Sequence, residues 1–284
     1  MDRRTAVAAL GAAAMGSALK GGVSPSPGFS LGRLKQSVSR WPYRQIPLAE
    51  FARAAAGMGL VAIDLLGPDD WDPVREAGLA CSMGYPTARK DFIATGFNDR
   101  ANHRMLLHEL EETIPLAARH AVPNVIAMFG NRRGRGDGEA IDNCVAGLNA
   151  IKAQAEEQRV TICLELLNSK IDHPDYQGDR TAFGVAVVKA VGSPRVRLLY
   201  DIYHMQIMEG DIIRTIRDNR EWIAHFHTGG VPGRHELDGT QELNWRGVAS
   251  AIADTAFAGF VAHEFVPTRD PLTSLREAVA VCNV

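Results

Sequence analysis

From Leu34 onward, short apolar runs alternate with longer amphipathic ones. The strand-like runs cover 35–41, 60–66, 79–84, 124–129, 160–167, 197–202, 224–228 and 260–266. Between and after them lie segments with helical spacing, near 47–57, 70–77, 99–120, 138–158, 180–191, 211–219, 244–256 and 271–282. Ile141, Val145, Leu148 and Ile151 show the helical period, falling on one face. Gly59, Gly78 and Gly259 stand where helices return to strands and are expected to end them in a left-handed conformation. Pro115 is expected to kink the third helix. Strands alternating with helices predict a parallel sheet with right-handed crossovers. At this length they predict an α/β protein closed as a (β/α)₈ TIM barrel, a fold of about 250 residues. An open doubly wound sheet is the competing arrangement, but no Gly-x-Gly-x-x-Gly follows the first strand, so its usual dinucleotide site is missing.

The beginning of the chain departs from this pattern. Arg3-Arg4 precedes a nearly uncharged, Ala-rich run from Thr5 to Leu19, and a Gly/Ser/Pro stretch follows to Ser30. Residues 1–30 are therefore read as a twin-arginine export signal and linker, and 31–284 as one catalytic barrel. The expected location is periplasmic or otherwise exported, or cytoplasmic if the arginine pair is fortuitous. The apolar run is too short to anchor well, and no later segment is long enough to span a bilayer, so no membrane association is expected of the mature form. A net charge of -2 gives no basic field and no argument for nucleic acid. Cys81, Cys144, Cys163 and Cys282 show no Cys-x-x-Cys spacing, so neither a structural zinc nor a required disulfide is expected.

In such barrels the chemistry gathers at the C-terminal ends of the strands. The last four windows each carry an acid or imidazole late in an apolar run: Glu165, Asp201, His227 and Glu264. Their spacing is about one β-plus-α unit each, which places them on neighbouring strands at one level. Ionisable groups crowded in an apolar mouth are costly to desolvate without compensation, and a divalent cation offers it. Three carboxylates and one imidazole suit Mn²⁺ or Mg²⁺ best, with Co²⁺ and Zn²⁺ also compatible.

The stretch 199–211, Leu-Tyr-Asp-Ile-Tyr-His-Met-Gln-Ile-Met-Glu-Gly-Asp, and the loop 231–236, Val-Pro-Gly-Arg-His-Glu, carry a resemblance. They are similar to the sixth-strand and seventh-loop motifs of the hydroxypyruvate isomerase group, within the xylose-isomerase-like barrel superfamily of sugar phosphate isomerases and epimerases. The similarity runs from about Leu34 to the end. It implies the same four metal ligands, Glu165 and Glu264 as the proton-transfer pair, and His204 and Arg234 as binders of substrate oxygens. At His227 the chain departs from bacterial hydroxypyruvate isomerases, which commonly have Gln there. It is similar instead to ketose 3-epimerases, whose seventh strand also reads His-x-His.

The expected reaction is isomerisation of an α-hydroxy carbonyl compound, hydroxypyruvate or a sugar, through an enediolate. Ketose 3-epimerisation is the alternative, then a lyase or hydrolase of oxidised sugars, then a non-catalytic sugar-binding barrel. A multi-zinc nuclease would need more histidines than these windows offer. The expected partner is a small sugar or hydroxy-keto acid, with a homo-oligomer also compatible. Lys170 and His173 in the polar segment 168–176 could reach substrate from a lid, or could lie on a surface loop. Trp41 could wall the pocket from the end of the first strand. His225 is expected deeper than His227, in a supporting hydrogen-bond role. The arginines of 131–136 could receive an oxyanion or form a solvated loop.

Overall fold

The computed structural model describes residues 32–86 and 89–284. The export segment expected at 1–30 lies outside the described residues. The strands are β1 (Lys35–Ser39), β2 (Ala62–Leu66), β3 (Ala80–Gly84), β4 (Asn124–Met128), β5 (Thr161–Leu166), β6 (Val196–Asp201), β7 (Ile223–Thr228) and β8 (Phe260–His263). Each pairs in parallel with the next and β8 pairs with β1, closing the barrel.

The helices are α1 (Leu48–Gly57), α2 (Pro68–Glu76), α3 (His103–Arg119), α4 (Asp137–Gln158), α5 (Thr181–Val191), α6 (Ile202–Met208), α7 (Ile212–Asn219), α8 (Trp245–Asp254) and α9 (Pro271–Cys282). They form because apolar side chains recur at helical spacing and meet the barrel. In α4, Ala140, Cys144, Gly147, Leu148, Ile151 and Ala155 are buried along one stripe. β2, β4 and β5 are buried at every position, as strands sandwiched between barrel interior and helices must be. All four cysteines are buried free thiols, so they act as small apolar core residues.

Several local expectations need correction. The first strand stops at Ser39, and Trp41 belongs to a 3₁₀ turn, Trp41–Tyr43, because Pro42 removes the N–H a strand would use. The last strand ends at His263, so Glu264 lies just beyond it. Pro115 does lie within the third helix, α3, as its place in the sequence implied. Gly259 is not left-handed; Ala256 (φ 55°) makes that turn. A side chain at Gly259 would instead strike the Ala224 carbonyl and the Phe257 ring. α6 had no counterpart in the pattern of runs. It begins directly at Asp201, whose carboxylate caps it by accepting from the His204 N–H at 3.2 Å.

One irregularity bears on the site. The β2–β3 register shifts on both sides of Asp64, and Leu65 adopts φ 55°. A left-handed Leu costs about 1–2 kcal/mol. Such bulges commonly re-aim a side chain beside an active site.

Candidate metal centre and active site

Glu165, Asp201, His227 and Glu264 meet at the C-terminal mouth of the barrel, with one ligand atom from each lying within 4.8 Å of all the others. Asp201 and His227 are direct register partners across β6 and β7. All four side chains are buried. Nδ1 of His227 lies 2.7 Å from Glu264 Oε2 and 3.2 Å from Glu165 Oε1, yet it has no hydrogen-bond partner. Its other nitrogen, Nε2, is 2.9 Å from Asp64 Oδ2. If Nε2–H donates to Asp64, the Nδ1 lone pair is left facing carboxylates.

A buried lone pair among anions is an arrangement a cation resolves. One imidazole nitrogen and three carboxylates form a donor set that fits a divalent ion of hard or borderline character. The site is therefore able to chelate such an ion.

Asp64 was not among the residues the sequence pointed to. It is fully buried and holds three neighbours: His227, His225 Nε2 at 3.1 Å, and Ser82, whose hydroxyl donates at 2.5 Å. A carboxylate behind a metal-binding imidazole fixes both its tautomer and its orientation. His225 sits beside His227, with ring centroids 5.2 Å apart.

The two glutamates differ electrostatically. Burial pushes Glu165 up to about 7, against the opposing pull of His227. Burial also pushes Glu264 up, but His227 and Arg234 together outweigh it and hold this carboxyl at about 2. Burial raises Asp201 as well. His227 is driven upward although burial opposes it, because Glu264 and its other acidic neighbours prevail. Burial and the Arg234 charge lower His204 well below the ordinary histidine range, so its ring is neutral.

Arg234 binds this cluster together. Its Nη2 contacts Asp201 Oδ2 at 2.8 Å and also Glu264 Oε2. Nε donates to the Glu264 carbonyl at 3.0 Å. Its guanidinium lies between the rings of Tyr203 and Trp41, 5.0 and 5.7 Å from their centroids. The Trp41 Nε1–H donates to Glu264 Oε1 at 2.6 Å. Trp41 thus reaches the site from a turn and orients a carboxylate as well as walling the pocket.

Above the cluster opens a cavity of about 1480 Å³. Trp41, Glu165, His173, His204, Arg234 and Glu264 all line it. Lys170 is not brought there; its ammonium donates to the Ile207 carbonyl at 2.7 Å, tying the segment after β5 to α6. Two arginines of the loop 131–136 are paired with carboxylates. Arg132 pairs with Asp137 at 2.5 Å, and Arg135 pairs with Asp99 and Glu139 at 3.2 Å each.

Comparison with known proteins agrees with this architecture. Residues 27–283 match the family model described as Xylose isomerase-like TIM barrel. The chain is 28% identical to the human protein named "Putative hydroxypyruvate isomerase" over 83% of this chain and 80% of that protein. It is 32% identical to 2-oxo-tetronate isomerase of Cupriavidus necator over 80% of each. Among solved structures, it matches 3-keto-D-glucoside 4-epimerase of E. coli with a TM-score of 0.72 and 18% identity. That match covers 88% of this chain and 98% of the other.

Proposed function

Since the chain belongs to the xylose isomerase-like TIM barrel family, we propose that it isomerises an α-hydroxy carbonyl compound by moving a proton between Glu264 and Glu165. It is an isomerase- or epimerase-type enzyme of that fold. The observation that carries the reading is geometric: Glu165 Oε1 and Glu264 Oε2 lie 3.2 and 2.7 Å from the same buried imidazole nitrogen, Nδ1 of His227, in a cluster that also holds Asp201.

Glu165, Asp201, His227 and Glu264 would hold the ion, Mn²⁺ or Mg²⁺ by donor chemistry, and when bound it stabilises negative charge on the substrate oxygens. Glu264 Oε2 would take a proton from the carbon beside the carbonyl. Glu165 supplies one at the neighbouring carbon while the hydroxyl proton passes to the former carbonyl oxygen, and the reverse reaction exchanges the roles of the two glutamates. Trp41 holds Glu264 in place through Oε1. His204 and Arg234 face the same space and bind substrate oxygens.

The cavity favours a sugar or sugar acid over a three-carbon acid. At about 1480 Å³ it exceeds the roughly 300–1,000 Å³ common for small-ligand sites. Its lining carries both signs, Arg40, Arg44 and Lys90 with Asp69, Asp70 and Asp172, as suits a polar, many-hydroxyl ligand. A ketose 3-epimerase uses the same two glutamates on the two faces of one carbon, and the His-x-His of β7 supports it as the second reading.

Glu264→Gln tests the assignment. Ligand binding, followed calorimetrically, should persist within about tenfold, while turnover should fall by about 10²–10⁴, the usual contribution of a positioned acid or base. Turnover within a fewfold of wild type would remove Glu264 from the reaction.

A further inference from the structure

The segment that follows β5 begins with a buried asparagine whose four side-chain valences are all used. The Asn168 Oδ1 accepts the backbone N–H groups of Ile171 and Asp172, at 3.0 and 2.9 Å. Its Nδ2 faces Asp172 Oδ2 at 2.6 Å and His204 Nδ1 at 2.7 Å. Flipping the amide would set a donor against two backbone donors and an oxygen against a carboxylate, so its orientation is fixed. The backbone N–H of Asn168 also donates to His204 Nδ1, at 3.1 Å, and a backbone N–H cannot reverse its role.

Two donors converging on Nδ1 leave no room for a proton there. The ring proton must then sit on Nε2, which faces the cavity. There Nε2 lies 2.7 Å from Arg234 Nη1. A guanidinium offers no acceptor, so this is donor against donor. Both N–H groups are relieved by one oxygen accepting from each.

We propose that Asn168 is a positioning residue that holds His204 as an Nε2–H donor, so that the site admits an acceptor oxygen, carbonyl or enolate, beside Arg234. The identity of that oxygen rests on the isomerase reading, whereas the tautomer does not. Asn168 also connects recognition to the neighbouring loop, because Asp172 accepts from the Tyr203 hydroxyl at 2.8 Å and Tyr203 stacks against both Arg234 and His204.

The test is a long-range ¹H–¹⁵N correlation of histidine-labelled, substrate-free protein, with His204 assigned by its loss in His204→Gln. The expected result is an unprotonated Nδ1 and a protonated Nε2; a proton on Nδ1 overturns the proposal. Two variants then separate positioning from loop structure. Asn168→Ala keeps the backbone donor and should keep the tautomer. Asn168→Asp places an acceptor against Nδ1, draws the proton to it, and should raise KM about tenfold beyond the alanine variant, the scale of one lost hydrogen bond to a ligand. Equal KM in both variants, with the tautomer unchanged, would reduce Asn168 to a loop tether and contradict the proposal. If the aspartate variant does not fold, the wild-type tautomer still decides. If the tautomer is as stated but nothing is isomerised, the functional reading fails and the Asn168 assignment stands.

Discussion

His227 stands between two kinds of carboxylate, with Asp64 on its Nε2 side and Glu165, Asp201 and Glu264 on its Nδ1 side. Its work as a ligand depends on the residue behind it. Asp64→Asn keeps an acceptor oxygen but weakens the charge-assisted contact, so Mn²⁺ affinity should fall about 10–100-fold, as is usual when such a supporting carboxylate is lost. Titration of Mn²⁺ by electron paramagnetic resonance reads this without any substrate, and an unchanged affinity would contradict the role. The four residues of the cluster could be picked out from the sequence because each is an acid or imidazole late in an apolar run near the C-terminal end of a strand. Asp64 meets the same description in Ala62–Leu66, but it sits on an early strand and at a bulge. Simple alternation along β2 assumes an unbroken pleat, and the bulge with its left-handed Leu65 breaks that assumption.

At the scale of elements, the site is assembled by loops clasped to one another above the barrel. Glu236, in the loop after β7, accepts from Thr268 N and Oγ1 at 2.8 and 2.9 Å, Arg269 N at 3.2 Å and Ser274 Oγ at 2.9 Å. It thereby fixes the turn after β8 that follows Glu264, while Val266 N donates to the Arg234 carbonyl at 2.6 Å. Burial raises this carboxyl, but the converging donors outweigh it and hold it at about 2, against an ordinary value of 4.5. A folded-state value below the unfolded one stabilises the protein above about pH 4.5, and that stability is lost as pH falls toward 2. Glu236→Gln should therefore melt roughly 3–6 °C below wild type at pH 7, with the gap narrowing below about pH 4.5 and closing toward pH 2. A gap that does not change with pH, measured by thermal melts, would assign the clasp to packing alone. The motif containing Glu236 was visible in the sequence, but its partners lie over thirty residues away and could be found only once the loops were folded together. α6 was missed for a different reason. Asp201 ends a strand, caps a helix and faces the metal site at once, so no loop separates the two elements and the apolar run reads as one.

At the scale of the molecule, the barrel turns a linear spacing into a ring. The alternation of runs predicted eight strands, their closure and the strand ends where chemistry collects, because those features follow from periodicity and length. Contacts between side chains far apart along the chain did not. Trp41 on Glu264 and Asp64 on His227 are separated by 223 and 163 residues, and no local pattern encodes their pairing. The cavity's size likewise depends on how far the loops stand apart.

The most direct measurement is deuterium incorporation from D₂O into hydroxypyruvate and a panel of ketoses and sugar acids, with and without added Mn²⁺, followed by mass spectrometry. Proton transfer between two glutamates through an enediolate predicts that at least one compound gains a single deuterium at the carbon beside its carbonyl, together with its isomer or epimer. Both should disappear on chelation and in Glu264→Gln. Absence of exchange across the panel with the metal bound, or exchange that persists after the metal is removed, would contradict it.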